Sequence, residues 1–245
     1  MGVHSVYEAL VSGQRVIERV HIAKGSLENL RPILEAAEAR NIPLRRENRE
    51  ALDRMAGGQL HQGVVAIVGV REYQSLEELV GSDAGEGDHG KEPGLFVVLD
   101  SVQDPHNLGA VIRTAETAGA SGVVVTQRRS APLTAAVSRA SAGAMEHLPV
   151  ARVTNLVSAL KFMKQRGVWI VGFDAEAELE WTDFDYSVPV ALVLGGEHRG
   201  IRRLVRENCD VCVRLPVRGR IQSLNVSVTA GIALYEVLRQ RSRRV

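Results

Sequence analysis

The sequence of 245 residues has only two cysteines and no long apolar run. No segment reaches the length needed to cross a bilayer, and the first residues, MGVHSVYEAL, lack the basic region and apolar block of a secretory signal. We therefore expect a cytoplasmic protein with no membrane partner. The length suits one large domain or two small ones and allows a sizeable core.

The cysteines, Cys209 and Cys212, stand in the stretch NCDVC. A C-x-x-C pair can be half of a zinc site or a redox pair. The sequence has no second pair to complete a zinc site, and Val211 and Val213 indicate a strand. We therefore interpret both cysteines as buried or half-buried strand thiols, and we predict no metal site.

Lysine is absent from the segment that begins at Arg199. This segment has 11 arginines and three acidic residues, a net charge of +8, whereas the first 198 residues carry −7. Such a segment fits a phosphate-bearing partner, although a solvated basic face is an equal alternative. The choice of arginine slightly favours bidentate phosphate recognition.

Several catalytic signatures are also missing. Without G-x-G-x-x-G a dinucleotide site is weakly supported, and without a P-loop NTP hydrolysis is weaker still. The sequence has neither a cluster with metal-ligand spacing nor a nucleophile elbow.

One low-complexity stretch divides the chain. Residues 81–94, GSDAGEGDHGKEPG, contain five glycines and four acidic residues, a composition typical of a linker. We assign residues 1–76 to a small α/β domain, 77–94 to a flexible linker and 95–245 to a larger α/β domain. The small domain has no catalytic constellation, and its cluster of arginines favours a binding role: Arg40, Arg45, Arg46, Arg49 and Arg54.

The larger domain has almost entirely apolar strand patterns, at 95–100, 122–126, 168–173 and 190–195. Strands of this kind are buried on both faces, which predicts a parallel sheet covered by helices on both sides. The helical patterns fall at 107–118, 133–142, 154–166 and about 225–241.

Three polar segments follow predicted strands, where α/β sheets bind their ligands. They are SVQDPHNLGAVIR (101–113), LGGEHRGI (194–201) and LPVRGRIQSLNVSV (215–228). In the first, we interpret Asn107 as a helix cap and Gly109 as leaving room for a ligand to reach Arg113. A capped helix with a surface arginine is the structural alternative.

In the second segment, Gly195 and Gly196 allow a ligand to approach the backbone, and Glu197 can accept hydrogen bonds or act as a base. Pairing of Glu197 with Arg199 is the alternative. In the third, Ser223 and Asn225 stand at a helix entrance and serve either a ligand or the cap alone. Together the segments predict a pocket for a small polar ligand beside a basic surface.

The three segments resemble the signature motifs of the SpoU (TrmH-type) RNA ribose 2′-O-methyltransferases, through D-P-H-N-L-G-A-V-I-R, L-G-G-E-x-x-G-I and L-P-x-x-G-x-x-x-S-L-N-V-S-V. All three occur in order over roughly residues 95–241. The N-terminal G-V-H-S-V-Y-E-A-L and the later H-Q-G-V-V-A resemble the small RNA-binding domain of the bacterial 23S rRNA guanosine-2′-O-methyltransferases in this family.

The resemblance implies a SPOUT fold, in which the parallel-sheet domain carries a trefoil knot behind an L30e-like α/β domain. It implies S-adenosylmethionine as cofactor and a homodimer whose active site takes residues from both subunits. It matches Asn107, Arg113, Glu197, Ser223 and Asn225 to catalytic positions. The cofactor is expected at the backbone near four further residues: Gly195, Gly196, Leu215 and Leu224. His198 and Arg199 depart from the residues common in relatives and add charge beside the pocket.

The implied activity is 2′-O-methylation of a guanosine ribose in the peptidyl-transferase loop region of 23S rRNA, with 23S rRNA rather than DNA as partner. One alternative is the same chemistry on a tRNA loop guanosine, although relatives of that kind usually lack the N-terminal domain. Another is a non-catalytic RNA-binding or ribosome-assembly factor. Such a factor would be expected to have lost Arg113, Glu197 or Asn225, and all three are present.

Overall fold

The computed structural model describes residues 1–25, 28–81, 92–196, 200–221 and 223–243. The first sheet has three strands and lies within the first 70 residues, and the second has seven. No helix in these ranges is long and apolar enough to span a membrane.

The N-terminal unit alternates helices and strands: α1 (Val3–Ser12), β1 (Ile17–Ala23), α2 (Arg31–Ala39), β2 (Leu44–Glu47), α3 (Arg49–Ala56) and β3 (Val64–Val68). Strand β1 is central, parallel to β2 and antiparallel to β3. Val6 and Leu10 of α1 and Ile33 of α2 are buried against Val20 and Ile22 of β1. This apolar layer fixes the edge strand β2, on which Arg45 and Arg46 are exposed.

The C-terminal unit contains the remaining elements: α4 (Leu76–Gly81), β4 (Leu95–Asp100), α5 (Pro105–Thr117), β5 (Gly122–Thr126), α6 (Ala135–Ala140), β6 (Val150–Val153), α7 (Leu156–Gln165), β7 (Trp169–Phe173), β8 (Leu179–Glu180), β9 (Val190–Gly195), α8 (Arg203–Arg206), β10 (Val211–Arg214) and α9 (Val226–Ser242). Its strands pair in the order β6-β5-β4-β9-β7-β10-β8, and every pairing is parallel. The predicted parallel sheet is confirmed. The trefoil knot stays a prediction.

Alternate residues of β4 face two separate cores. Val97 and Leu99 pack on the side of α5 and α9, whereas Phe96 and Val98 pack on the side of α4 and α7. Burial on both faces explains why this strand is apolar throughout. The parallel pairing of β4 with β9 places the carboxyl ends of the two strands side by side, since Asp100 is in register with Gly195.

Helix α4 (Leu76–Gly81) occupies the first residues of the segment 77–94 that the sequence assigns to the linker. Leu79 and Val80 are buried in the core beneath α7, so residues 77–81 are part of the folded unit and the linker cannot begin at 77. Residues 82–91, the centre of the predicted linker, lie outside the described residues. The division of the chain into functional domains stays a prediction.

The two units contact each other through α1 and the 3-10 helix Ala144–Glu146. Arg15 Nε donates to Glu146 Oε2 at 2.7 Å, and Glu146 is fully buried. His147 Nε2 lies 2.7 Å from Glu8 Oε2. Because a buried carboxylate without its partner is strongly destabilising, the Arg15–Glu146 pair holds the units in a defined arrangement.

Candidate active site

The first motif segment begins where β4 ends. Ser101 has a φ of 67°, and helix α5 starts after Asp104, whose Oδ1 accepts a hydrogen bond from His106 N at 2.8 Å. Asp104 is therefore the cap, and the prediction that Asn107 caps this helix is wrong. The sequence Asp-Pro explains the earlier start, because proline is favoured at the first helical position. Asn107 lies in the first turn and is 8% exposed.

Asn225, the residue that caps α9, contacts Asn107 of α5, which is distant in the sequence. Asn225 Nδ2 donates to Asn107 Oδ1 at 3.0 Å. Asn225 Oδ1 accepts from Ser227 N at 2.8 Å, which caps α9, and from Ser227 Oγ at 2.6 Å. One side chain thus starts α9 and joins it to the first turn of α5. Two of the predicted catalytic residues are brought into direct contact.

Arg113 lies further along α5 and is exposed. At 1.5 Å per residue it stands about 9 Å along the helix axis from Asn107. It is not among the described residues that line the two cavities below. Within a single subunit, the structure therefore places the predicted catalytic residue Arg113 away from the Asn107–Asn225 contact.

Gly109 is buried, and it does not open a path to Arg113 as expected. A Cβ at this position would lie 2.4 Å from Ala140 Cβ and 3.0 Å from both Ser141 N and Val137 O. The glycine instead allows α5 and α6 to pack closely. The periodicity of α5 alone could not reveal this contact, because α6 approaches from elsewhere in the chain.

Two neighbouring cavities open at the carboxyl ends of the strands. The first, of about 710 Å³, is lined by Asn107 and Asp104. The second, of about 680 Å³, is lined by all four predicted cofactor residues and by Ser223: Gly195, Gly196, Leu215, Ser223 and Leu224. The cavities share Gly196, Gly200 and Val226 in their walls. The predicted cofactor residues therefore converge, beside the Asn107 side chain.

The glycine pair at the end of β9 is required by close packing of the backbone, in addition to the ligand approach that the sequence predicts. A Cβ on Gly195 would lie 2.0 Å from Gly200 C, and one on Gly196 would lie 2.5 Å from Ser101 O. Gly196 N also donates to Asp100 O at 2.9 Å. Because no larger residue fits either position, the glycines permit the backbone at Gly200 and at Ser101 to pack closely against the end of β9. Glu197, with His198 and Arg199, lies outside the described residues.

Asp100 and Arg202 form a contact that the sequence did not single out. Asp100 is fully buried, and its Oδ1 and Oδ2 accept from Arg202 Nε at 2.7 Å and Arg202 N at 2.9 Å. This pair fixes the end of β4 to the segment after β9. In the sequence, the feature that could have pointed to this contact is that Asp100 ends an otherwise apolar strand pattern.

The first cavity also contains Arg129, which has a φ of 62°. A non-glycine residue in this region is uncommon and strained. Its loop is held by Ala131 N, which donates to Val102 O at 3.0 Å, and by Thr126 Oγ1, which donates to Arg128 O at 2.6 Å. Arg129 therefore brings a positive charge to the wall of this cavity, while the charge of Arg202 is paired with Asp100. In the sequence, the feature that could have pointed to Arg129 is its position in the loop that follows the predicted strand 122–126.

The basic cluster of the N-terminal unit is only partly available to a ligand. Arg40 Nη1 donates to Leu10 O at 2.7 Å and so satisfies the end of α1. Arg45, Arg46, Arg49 and Arg54 are exposed on or beside the edge strand β2. The cluster thus contains one structural arginine and four that face solvent.

Comparison with protein families decides the class of the molecule. Residues 94–235 match the SpoU rRNA Methylase family. The chain belongs to this family. Residues 1–74 match a second family, RNA 2′-O ribose methyltransferase substrate binding. SpoU membership confirms the predicted family, fold class and methyltransferase activity, and the second match supports RNA as the substrate.

The relatives of this SpoU chain are similar over nearly its whole length. A Bacillus subtilis (strain 168) protein, YacO, named as a TrmH-family tRNA/rRNA methyltransferase, is 42% identical over 99% of this chain and 95% of its own. The 23S rRNA (guanosine-2′-O-)-methyltransferase RlmB of Xylella fastidiosa (strain 9a5c) is 41% identical over 99% and 96%.

A solved structure supports the fold and the cofactor class. The AdoMet-bound rRNA methyltransferase of Sinorhizobium meliloti superposes with a TM-score of 0.79 at 28% identity, covering 97% of this chain and 85% of that one. The predicted cofactor, S-adenosylmethionine, is the molecule bound in that relative.

Proposed function

We propose that this SpoU chain transfers a methyl group from S-adenosylmethionine to the ribose 2′-oxygen of a guanosine in 23S rRNA. The observation that carries the proposal is the Asn225–Asn107 contact at the boundary of two cavities, one of which has all four predicted cofactor residues in its wall. Full-length similarity to the Xylella fastidiosa enzyme supports 23S rRNA and guanosine.

The second cavity suits S-adenosylmethionine in size and chemistry. Its volume of about 680 Å³ lies within the range of small-molecule sites. Leu215 and Leu224 offer an apolar wall to an adenine ring. The bound cofactor would supply a sulfonium methyl group as the electrophile.

The first cavity is the proposed place of the ribose. A ribose hydroxyl is a poor nucleophile unless its proton leaves or its developing charge is stabilised. Asn107 and Asn225 orient the ribose, because their mutual hydrogen bond holds both amides in fixed positions. Ser223, which lines the second cavity, adds a polar contact between cofactor and ribose.

Arg113 is proposed to clamp the neighbouring phosphate and to stabilise the developing alkoxide. A guanidinium stays protonated at physiological pH, which makes it a poor general base. Glu197 is proposed to orient Arg113 or the ribose by accepting hydrogen bonds.

We infer that a homodimer assembles the complete site. Arg113 lies on the exposed side of α5, away from the cavities of its own subunit. Helix α9 packs beside α5, with Gly231 close to Thr114, and it exposes Val228 and Tyr235 to solvent by 49% and 52%. These two residues lie seven positions apart, about two helical turns, and so mark one face of α9 that is exposed in the subunit. A second subunit covering it brings a second Arg113 to the site.

The N-terminal unit is proposed to bind the RNA. Its exposed arginines, including Arg45 and Arg46 on β2, supply phosphate contacts whose strength falls with salt. A loop nucleotide is the expected target, because a paired ribose is less accessible. The cytoplasmic location stays a prediction.

In vitro methylation tests the proposal. Purified protein is incubated with methyl-labelled S-adenosylmethionine and either unmodified 23S rRNA or a tRNA pool, and the labelled nucleoside is identified after digestion. We expect 2′-O-methylguanosine from 23S rRNA. Label in tRNA alone would favour the tRNA alternative, and a protein that binds RNA without transferring label would favour the assembly factor.

A further inference from the structure

Cys209 and Cys212 come together at one point on β7. Both sulfur atoms lie against Gly172: a Cβ there would be 2.8 Å from Cys209 Sγ and 3.2 Å from Cys212 Sγ. Cys212 is in register with Gly172 in the parallel pairing of β10 and β7. The absence of a side chain at Gly172 therefore makes room for Cys209 beside Cys212.

The backbone around the pair is held firmly. Asp210, between the two cysteines, accepts from Ile170 N through Oδ2 at 2.8 Å, and its Oδ1 pairs with Lys164 Nζ at 2.8 Å. Cys209 Sγ also lies 3.4 Å from Val205 O. Both thiols are free and half-buried, so a small reagent can reach them while their positions stay fixed.

A positive charge lies beside the pair. Arg206 forms an ion pair with Asp174, Nε to Oδ2 at 2.9 Å, and its guanidinium also hydrogen bonds to Cys212. The Cys209 thiol donates to the Cys212 sulfur. This hydrogen bond, with the charge of Arg206, lowers the pKa of Cys212 to about 7, against the opposing effects of partial burial and of the Asp174 carboxylate. The same hydrogen bond and burial raise the pKa of Cys209. One thiol is thus poised as a thiolate and the other as its proton-bearing neighbour.

We propose that Cys209 and Cys212 form a peroxide-oxidisable dithiol, with Cys212 as the attacking thiolate and Cys209 as the resolving thiol. The sequence led us to expect buried or half-buried thiols, both are half-buried, and the proposal adds a reaction to them. Two cysteines in contact beside a guanidinium have the arrangement expected of a reactive pair. The chemistry does not depend on methyl transfer.

The reaction proceeds in two balanced steps with hydrogen peroxide as the oxidant. In the first, the Cys212 thiolate attacks a peroxide oxygen, an S–O bond forms, the O–O bond breaks, and hydroxide leaves to become water. In the second, Cys209 loses its proton and attacks the Cys212 sulfur, so that an S–S bond forms and a second hydroxide leaves as water. The dithiol is oxidised and the peroxide is reduced to two waters.

Mass spectrometry of the full-length protein tests the assignment. After brief hydrogen peroxide treatment and alkylation of the remaining thiols, we expect wild type to lose both free thiols and about 2 Da, restored by a dithiol reductant. Cys209→Ser should instead stop at a Cys212 sulfenic acid, trapped by a 1,3-dione. Cys212→Ser should react at least about tenfold more slowly, because its remaining thiol is mostly protonated.

A pH profile separates a reactive pair from two ordinary buried thiols. The alkylation rate of Cys212 in Cys209→Ala should rise with a midpoint above that of wild type, because alanine has no proton to donate to the Cys212 sulfur. Arg206→Gln should slow alkylation at pH 7 and recover by about pH 9. Equal rates for the two single-cysteine variants, or two intact thiols in peroxide-treated wild type, would overturn the proposal. Circular dichroism confirms that each variant is folded.

Discussion

Asn225 Nδ2 donates a hydrogen bond to Asn107 Oδ1 at 3.0 Å, across 118 residues of sequence. The same Asn225 side chain accepts from Ser227 N and so begins α9. The Oδ1 atom of Asn225 therefore has the structural role of capping α9. Its Nδ2 atom has the proposed catalytic role of orienting Asn107. This division allows the two roles to be tested separately.

Asn225→Asp should keep the cap and lose the contact. Aspartate caps as well as asparagine does, so stability should change by less than about 0.5 kcal/mol. A carboxylate cannot donate to Asn107 Oδ1, and we expect turnover to fall at least about tenfold, about 1.4 kcal/mol of barrier. Asn225→Ala, the comparison, should lose activity and also about 1 kcal/mol of stability. Wild-type turnover in Asn225→Asp would remove the contact from the mechanism.

Gly109→Ala should destabilise the fold through the α5–α6 contact. The new Cβ would lie 2.4 Å from Ala140 Cβ, and we expect a loss of about 1–3 kcal/mol in urea unfolding. Adding Ala140→Gly should recover part of that loss. Gly219→Ala is the matched control, because a Cβ there meets nothing within 4 Å. An unchanged stability in Gly109→Ala would restore the interpretation of this glycine as an opening for a ligand.

Arg113→Ala should bind S-adenosylmethionine with nearly normal affinity in calorimetry and lose turnover.

If the partner subunit supplies Arg113, mixing this variant with Asn225→Asp should restore roughly a quarter of wild-type activity. About half of the dimers in an equal mixture are mixed, and each mixed dimer keeps one of its two sites intact. If each subunit uses its own Arg113, both sites of a mixed dimer carry a substitution. The mixture would then stay as inactive as its components.

Replacing both Arg45 and Arg46 by alanine should weaken RNA binding without changing cofactor affinity. Two lost phosphate contacts should reduce the slope of log K against log salt by about 1.4–1.8. Arg31→Ala is the control, because this exposed arginine is paired with Glu35 at 2.9 Å. An unchanged salt slope in the double variant would place the RNA on another surface.

The elements predicted well are those whose own residues determine them. Strands 95–100, 122–126 and 190–195 were predicted with their observed bounds. Each is an almost continuous run of apolar residues, which is typical of a strand buried on both faces and ends where polar residues or glycines begin. Strand β6, four residues long with the exposed Arg152, carries no such pattern. The convergence of the motif segments beside the cavities followed from their positions after strands.

What the sequence could not predict depends on chain segments that meet only in the fold. Gly109 is required by Ala140, and Gly196 by the carbonyl of Ser101. The partner of Asp100 is Arg202, 102 residues away. In each case the residue type was visible, but the physical reason lay in a distant segment.

Mapping ribose methylation in RNA from a strain that lacks this gene tests the central claim most directly. We predict that one guanosine in 23S rRNA loses its 2′-O-methyl group, that wild type restores it, and that Arg113→Ala does not. An unchanged 23S rRNA, with the methyl group lost from tRNA or from no RNA, would contradict the account.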